Sequence, residues 1–214
     1  MKSSANRLTL VSIVAVISLC FGRPLLSGET GQNLAFTVRA YDYAQLPHET
    51  IAQAEMEATR ILRKAGVETI WLNCFPAAAN AVEPAVCQRP LGPLDFVIRI
   101  VPTSTAGHLA LDQSALAFTV LEGDNGAYAT LFYEPIAELA ANYDVPAGQL
   151  LGHAAAHEIG HLFLGANAHS LTGLMRARWD EKDVQLAGQR NLHFTKPQSE
   201  LIRAKILAAR LQVN

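Results

Sequence analysis

Residues 157–161 read His-Glu-Ile-Gly-His. They lie inside Leu150–Leu164, a proline-free stretch rich in Ala and Leu that predicts a helix. Positions i and i+4 of a helix share a face and stand about 6 Å apart along the axis. His157 and His161 can therefore grip one metal ion through their imidazole nitrogens, and zinc is the expected ion. Glu158, next to His157, can reach a water on that ion without being a ligand, and can take its proton as general base. A catalytic zinc usually has three protein ligands and an open position, so the fold must bring a third ligand to this helix.

The chain is long enough to do so without leaning on the metal for its stability. It has 214 residues, 50% of them hydrophobic and 17% charged, which suits one domain with a full core. That composition excludes a disordered chain, a collagen and a coiled coil. A formal charge of −2 and a pI near 6.4 argue against a nucleic-acid partner held by a basic field.

Residues 1–22 read as a secretory signal peptide. Lys2 and Arg7 make a basic start, and Leu8 to Phe21 carries no charge but is short for a membrane span. Cleavage is expected after Gly22, giving a secreted or periplasmic protein with no stable membrane insertion; an uncleaved anchor is the alternative. Loss of Lys2 and Arg7 would take the formal charge from −2 to −4. Cys20 would leave too, and Cys74 and Cys87 would remain as a pair in an oxidising compartment. A disulfide between them is expected, contributing about 3 kcal/mol by loop closure, with two buried thiols as the alternative.

After a short segment, 23–33, one domain is expected over 34–214. Leu34–Tyr41, Val67–Leu72 and Asp95–Val101 read as strands, and Leu116–Leu121 with Ala127–Tyr133 as a hairpin around a Gly-rich turn at 122–126. Pro47–Ala65 predicts a helix with Ile51, Ala54, Ala58, Ile61 and Leu62 on its buried face and Gly66 as its cap. A short helix is expected at Pro135–Tyr143. A last helix, Lys196–Leu211, should pack through Leu201, Ile202, Lys205, Leu207 and Ala208. The fold class is α+β: a twisted mixed sheet of about five strands with helices.

The run from His157 to Met175 reads His-Glu-Ile-Gly-His161-Leu-Phe-Leu-Gly165-Ala-Asn-Ala-His169-Ser170-Leu-Thr-Gly-Leu-Met175. It resembles the metzincin metallopeptidases, whose motif continues after the second His through a Gly to a third His and then to a methionine in a tight turn. Ser after the third His is common in their matrixin-like branch. One departure stands out: eight positions separate His161 from His169, where the family has six, and Asn167 occupies the family's ligand position. A longer loop leaves His169 within reach, with Gly165 ending the helix in a left-handed turn. His169 is the expected third ligand; Asp180, Glu181 and His193 are the alternatives. The resemblance makes Met175 the methionine beneath the metal, and implies a zincin-like fold with an active-site helix, Met-turn and C-terminal helix.

The implied function is a secreted zinc endopeptidase acting on a peptide or protein laid along an edge strand such as Leu116–Leu121. Two readings stand for Arg176–Trp179: a wall of the pocket beyond the cleaved bond, or ordinary surface arginines. Two alternatives stay open: a catalytically silent zinc-stabilised binding domain, and a zinc hydrolase of non-peptide amides. His153 shares the face of His157, but three turns span about 12 Å, too far for one ion, so it is expected to be a core or supporting residue. Oligomeric state is not encoded in any pattern found.

Overall fold

In the computed structural model, residues 34–74, 83–108, 116–122 and 126–213 are described. The expected signal peptide, the 23–33 segment and the tip of the turn at 123–125 lie outside the described residues. The elements are β1 (Ala35–Asp42), α1 (His48–Lys64), β2 (Glu68–Asn73), β3 (Asp95–Val101), β4 (Ala117–Glu122), β5 (Gly126–Phe132), α2 (Tyr133–Asn142), α3 (Ala147–Leu164), α4 (Glu181–Gly188) and α5 (Lys196–Val213). A 3-10 turn at Thr103–His108 follows β3.

The strands form one mixed sheet in the order β2-β1-β3-β5-β4. Four are parallel; only β4, at the edge, runs antiparallel to its neighbour β5. Helix α1 makes the crossover from β1 to β2 that parallel pairing demands. Alternation along the strands sorts the two faces. Phe36 and Val38 of β1, Phe96, Ile98 and Ile100 of β3, and Ala129 and Leu131 of β5 join the core shared with α1 and α3. Arg39, on the opposite face, is also buried. Its guanidinium donates to the carbonyls of Cys87 (2.9 Å), Arg89 (2.6 Å) and Pro90 (3.2 Å) and pairs with Asp95 (3.1 Å). Cys74 and Cys87 are joined by a disulfide, as expected. Together the bond and Arg39 tie the segment before β3 to the sheet.

The centre of the molecule is α3, with 14 of its 18 residues buried. A helix covered on all sides reads as apolar all round, which is why its Ala-rich sequence shows no clean polar stripe. Gly148 and Gly152 let α1 approach closely. A Cβ on Gly152 would lie 2.6 Å from Ala54 O and 2.8 Å from Glu57 Cβ. Phe163 in the last turn packs edge-on against Phe36 (5.0 Å) and Phe96 (4.9 Å), pinning the C-terminal end of α3 to the sheet.

Several expectations are corrected. Glu57 sits buried on the apolar face of α1, because the Arg60 guanidinium grips its carboxylate at 2.6 and 3.1 Å and removes the cost of an unpaired buried charge. The chain enters α2 at Tyr133 directly from β5, two residues before Pro135, since proline is tolerated in a first helical turn. Helix α5 docks through Ile202 and Ile206; Leu201 and Leu207 stay exposed, because a helix on the rim buries only a narrow stripe. Helix α4 was not expected. Its signal was a capping box: Asp180 accepts from the Asp183 N–H (3.1 Å), and Asp183 accepts in return from the Asp180 N–H (3.0 Å).

Substituting Gly152→Ala should drive a methyl into the α1 backbone. Overpacking against main chain, at about 1–3 kcal/mol, outweighs the helix-propensity gain of at most about 1 kcal/mol. Thermal unfolding should show a lower melting temperature, and an unchanged or higher value would refute the close crossing.

Candidate metal centre

The two histidines of α3 face the same way, one turn apart, with their Nε2 atoms 3.1 Å from each other. Both rings are turned by backbone carbonyls. His157 Nδ1 lies 2.7 Å from Leu174 O, and His161 Nδ1 lies 3.1 Å from Gly165 O. A carbonyl only accepts, so each Nδ1 carries the proton and each Nε2 is left with a lone pair. Burial pushes the His157 pKa down to about 4, with His161 and His169 adding to the fall, and burial likewise lowers that of His161. The pair is therefore neutral near pH 7, the form that binds metal.

His169 completes the group. Its Nε2 stands 3.1 Å from that of His161, and the three ligand atoms all lie within 4.8 Å of one another. The longer loop is accommodated at Gly165, with φ 94° and ψ 168°. Its φ is positive, as expected, but its ψ places it in the extended region that only glycine enters, rather than the left-handed helical one. That conformation turns the Gly165 carbonyl back onto His161 Nδ1. Asn167 lies in the same loop, exposed and outside the histidine group.

The chain then returns beneath the helix. Ser170 N–H donates to Met175 O (2.8 Å), and Leu174 N–H donates to His193 O (2.8 Å). Leu174 O accepts from Trp179 Nε1 (3.1 Å) as well as from His157, so the carbonyl that orients His157 is itself held in place. Met175 is fully buried against Gly160, where a Cβ would come within 2.4 Å of its sulfur. A side chain at position 160 would displace the Met175 thioether and crowd the Phe194 ring, whose Cε1 would lie 2.8 Å from its Cβ. Gly160, Leu174 and Thr119 were not singled out in the sequence, since nothing local marks a backbone approached from below or a hydroxyl brought in from a distant strand.

Glu158 is buried beside His157. The Thr119 hydroxyl of β4 donates to its Oε2. Burial pushes the carboxyl pKa up to about 7, and the Thr119 hydrogen bond opposes that rise.

The other candidates stand elsewhere. Asp180 caps α4 and pairs with Arg176 (2.6 Å), and exposed Glu181 accepts from Gln185 (3.0 Å). Arg176 also pairs with Asp183, so it is committed to the start of α4 rather than free to line a pocket. His193 lies outside the group, and His153 is fully buried, with Nδ1–H donating to Gln149 O (3.0 Å) and Nε2 3.5 Å from Glu57. Among the described residues, the other cluster of metal-capable groups is Cys74, Glu83 and Cys87, whose sulfurs are taken by the disulfide. His157, His161 and His169 are the group that could hold a metal ion.

Comparison with family models, with curated proteins and with solved structures finds no match to this chain.

The third ligand can be tested by metal analysis. If the histidine group holds an ion, added zinc should bind near one per chain to the parent and to Asn167→Ala and be mostly lost in His169→Ala. Zinc retained in His169→Ala and lost in Asn167→Ala, or lost on replacing Asp180 or Glu181, would overturn the histidine group.

Proposed function

We propose that this chain is a secreted zinc-dependent endopeptidase of metzincin type. The observation that carries the reading is the convergence of three imidazole Nε2 atoms at a helix that also carries the buried carboxylate of Glu158. The fit to zinc is geometric. Tetrahedral bonds of about 2.0–2.1 Å put neighbouring nitrogens about 3.3 Å apart. The Nε2 atoms of His157 and His169 each lie 3.1 Å from that of His161. Two lone pairs facing each other at that distance repel unless a cation lies between them, and three imidazoles suit zinc. When bound, the metal makes a coordinated water acidic and polarises the scissile carbonyl.

The chain's own groups do the rest. His157 and His161 are locked in the metal-binding tautomer by Leu174 O and Gly165 O. Glu158 takes the proton of the attacking water on its carboxylate and then delivers it to the leaving amine. Its low-dielectric surroundings keep it basic enough for both transfers.

A peptide substrate is favoured over a small amide by β4. In its ladder with β5, Phe132 N–H bonds to Leu116 O, and Phe118 and Val120 lie an even number of positions further along the same ladder. Antiparallel alternation then turns the N–H and C=O groups of Ala117 and Thr119 to the open edge. An extended chain could pair there as an added strand, next to Glu158. The methionine under Gly160 and the turn closed by Ser170 and Met175 support the metzincin assignment. The disulfide and the apolar N-terminal run support export. Among the described residues, no helix is long and apolar enough to cross a membrane.

Glu158→Gln should keep one zinc per chain while peptide cleavage falls by at least about a hundredfold. Cleavage by the parent should also stop with a chelator and return with zinc. A Gln variant as fast as the parent would refute the mechanism, and a zinc-loaded parent that cleaves no peptide would refute the endopeptidase.

A further inference from the structure

Glu158 reaches its site with three rotatable side-chain bonds, so something must aim its carboxylate. We infer that Thr119 is the positioning residue for Glu158, its hydroxyl holding Oε2 so that Oε1 is presented to the attacking water. This rests on the reading of Glu158 as the general base.

Thr119 Oγ1 has a single proton to give. It is closer to the carboxylate oxygen than to the Glu158 backbone carbonyl, which lies at 3.5 Å, so the proton goes to Oε2. With that oxygen engaged, Oε1 is the more basic of the two and takes the water's proton. A threonine on a strand suits the task. Its β-branched side chain is stiff about χ1, so the hydroxyl is delivered with little freedom of its own. The bond also crosses between elements, from the edge strand to the central helix, and fixes Glu158 relative to the strand rather than to its own helix alone.

The same residue has a second face. Its backbone N–H and C=O lie on the open edge of β4, by the alternation that the β4–β5 ladder sets. Thr119 thereby links the strand on which an extended substrate would pair to the carboxylate that would activate the attacking water. The two contributions separate cleanly: the backbone binds, the hydroxyl aims. Thr119→Val keeps the shape, the β-branching and the edge backbone while removing the hydroxyl.

The test compares parent, Thr119→Val and Thr119→Ser, each loaded with zinc. The valine variant should hold one zinc per chain and show kcat lowered about 10- to 100-fold, the scale of a hydrogen bond to a charged group, with KM within about twofold of the parent. Serine restores the hydroxyl and should recover most of kcat. Unchanged kcat in the valine variant, a loss confined to KM, or a serine variant as impaired as valine would overturn the proposal. A second readout needs no peptide cleavage. Acetohydroxamic acid, which gives a proton to a neighbouring base as it chelates metal, is titrated into the cobalt-substituted proteins while their visible bands are followed. Its affinity should fall about tenfold in Thr119→Val and return in Thr119→Ser. A parent that cleaves no peptide would sink the endopeptidase reading alone, and the hydroxamate series would still decide Thr119. Equal affinity across the series would overturn it. Thr119→Ala is the second hydroxyl-free variant; failure of both to fold while serine folds would make Thr119 structural and also overturn the proposal.

Discussion

Helix α3 is wrapped by protein along almost its whole length and yet turns two imidazoles toward a third histidine from the loop that follows it. That double demand shapes the rest of the molecule. A buried helix can be approached from every side only where its side chains are small, and the approaches fall where glycine stands. Through Gly148 and Gly152 it accepts α1, and through Gly160 it accepts Met175. Phe163 anchors its last turn to the sheet. With the axis held in this way, the directions of His157 and His161 follow from helix geometry, and two backbone carbonyls settle their rotation and tautomer.

The helix also carries the two polar pairs most exposed to the cost of burial, and it treats them differently. Near its start, His153 faces Glu57 of α1, and the Glu57 carboxylate is neutralised by Arg60 at 2.6 Å, with Arg190 at 3.6 Å. That charge is satisfied within the structure. One turn on, Glu158 has a hydroxyl partner and no ion pair among the described residues, so burial raises its pKa to about 7. A carboxylate paired with a guanidinium has its charge compensated, whereas one held only by a neutral donor bears the cost of burial. The contrast is between a buried glutamate of α1 that is ion-paired and one of α3 that is held by a single hydroxyl.

Much of this was legible in the chain itself. The His-Glu-x-x-His spacing places its groups on one helix face by local geometry alone, and the strands of the core announce themselves by hydrophobic runs. Less legible were the elements whose cause is elsewhere. Helix α4 is short and held by its own capping box and by Arg176, with little apolar periodicity to betray it. The docking stripe of α5 was read correctly at Ile202 and missed at Ile206, because nothing in the helix says which of several apolar rows the body will cover. Glu57 broke the expected apolar face of α1 because its partner, Arg60, neutralises it in place.

The sequence by itself determined the residues whose relation is local: His157, Glu158 and His161 on one turn of helix, and Gly165 where that helix must end. Tertiary structure alone decided which later residue completes the group, since Asn167 and His169 are both near in sequence and only the path of the loop from Gly165 brings the His169 Nε2 to 3.1 Å from that of His161. It also decided that Thr119, 39 residues upstream, would meet Glu158, and that Met175 would lie under Gly160. The physical reason is the same in each case. Helical hydrogen bonding repeats every few residues and can be read along the chain, whereas the meeting of a strand, a loop and a helix depends on how the whole core packs, which no short window of sequence contains.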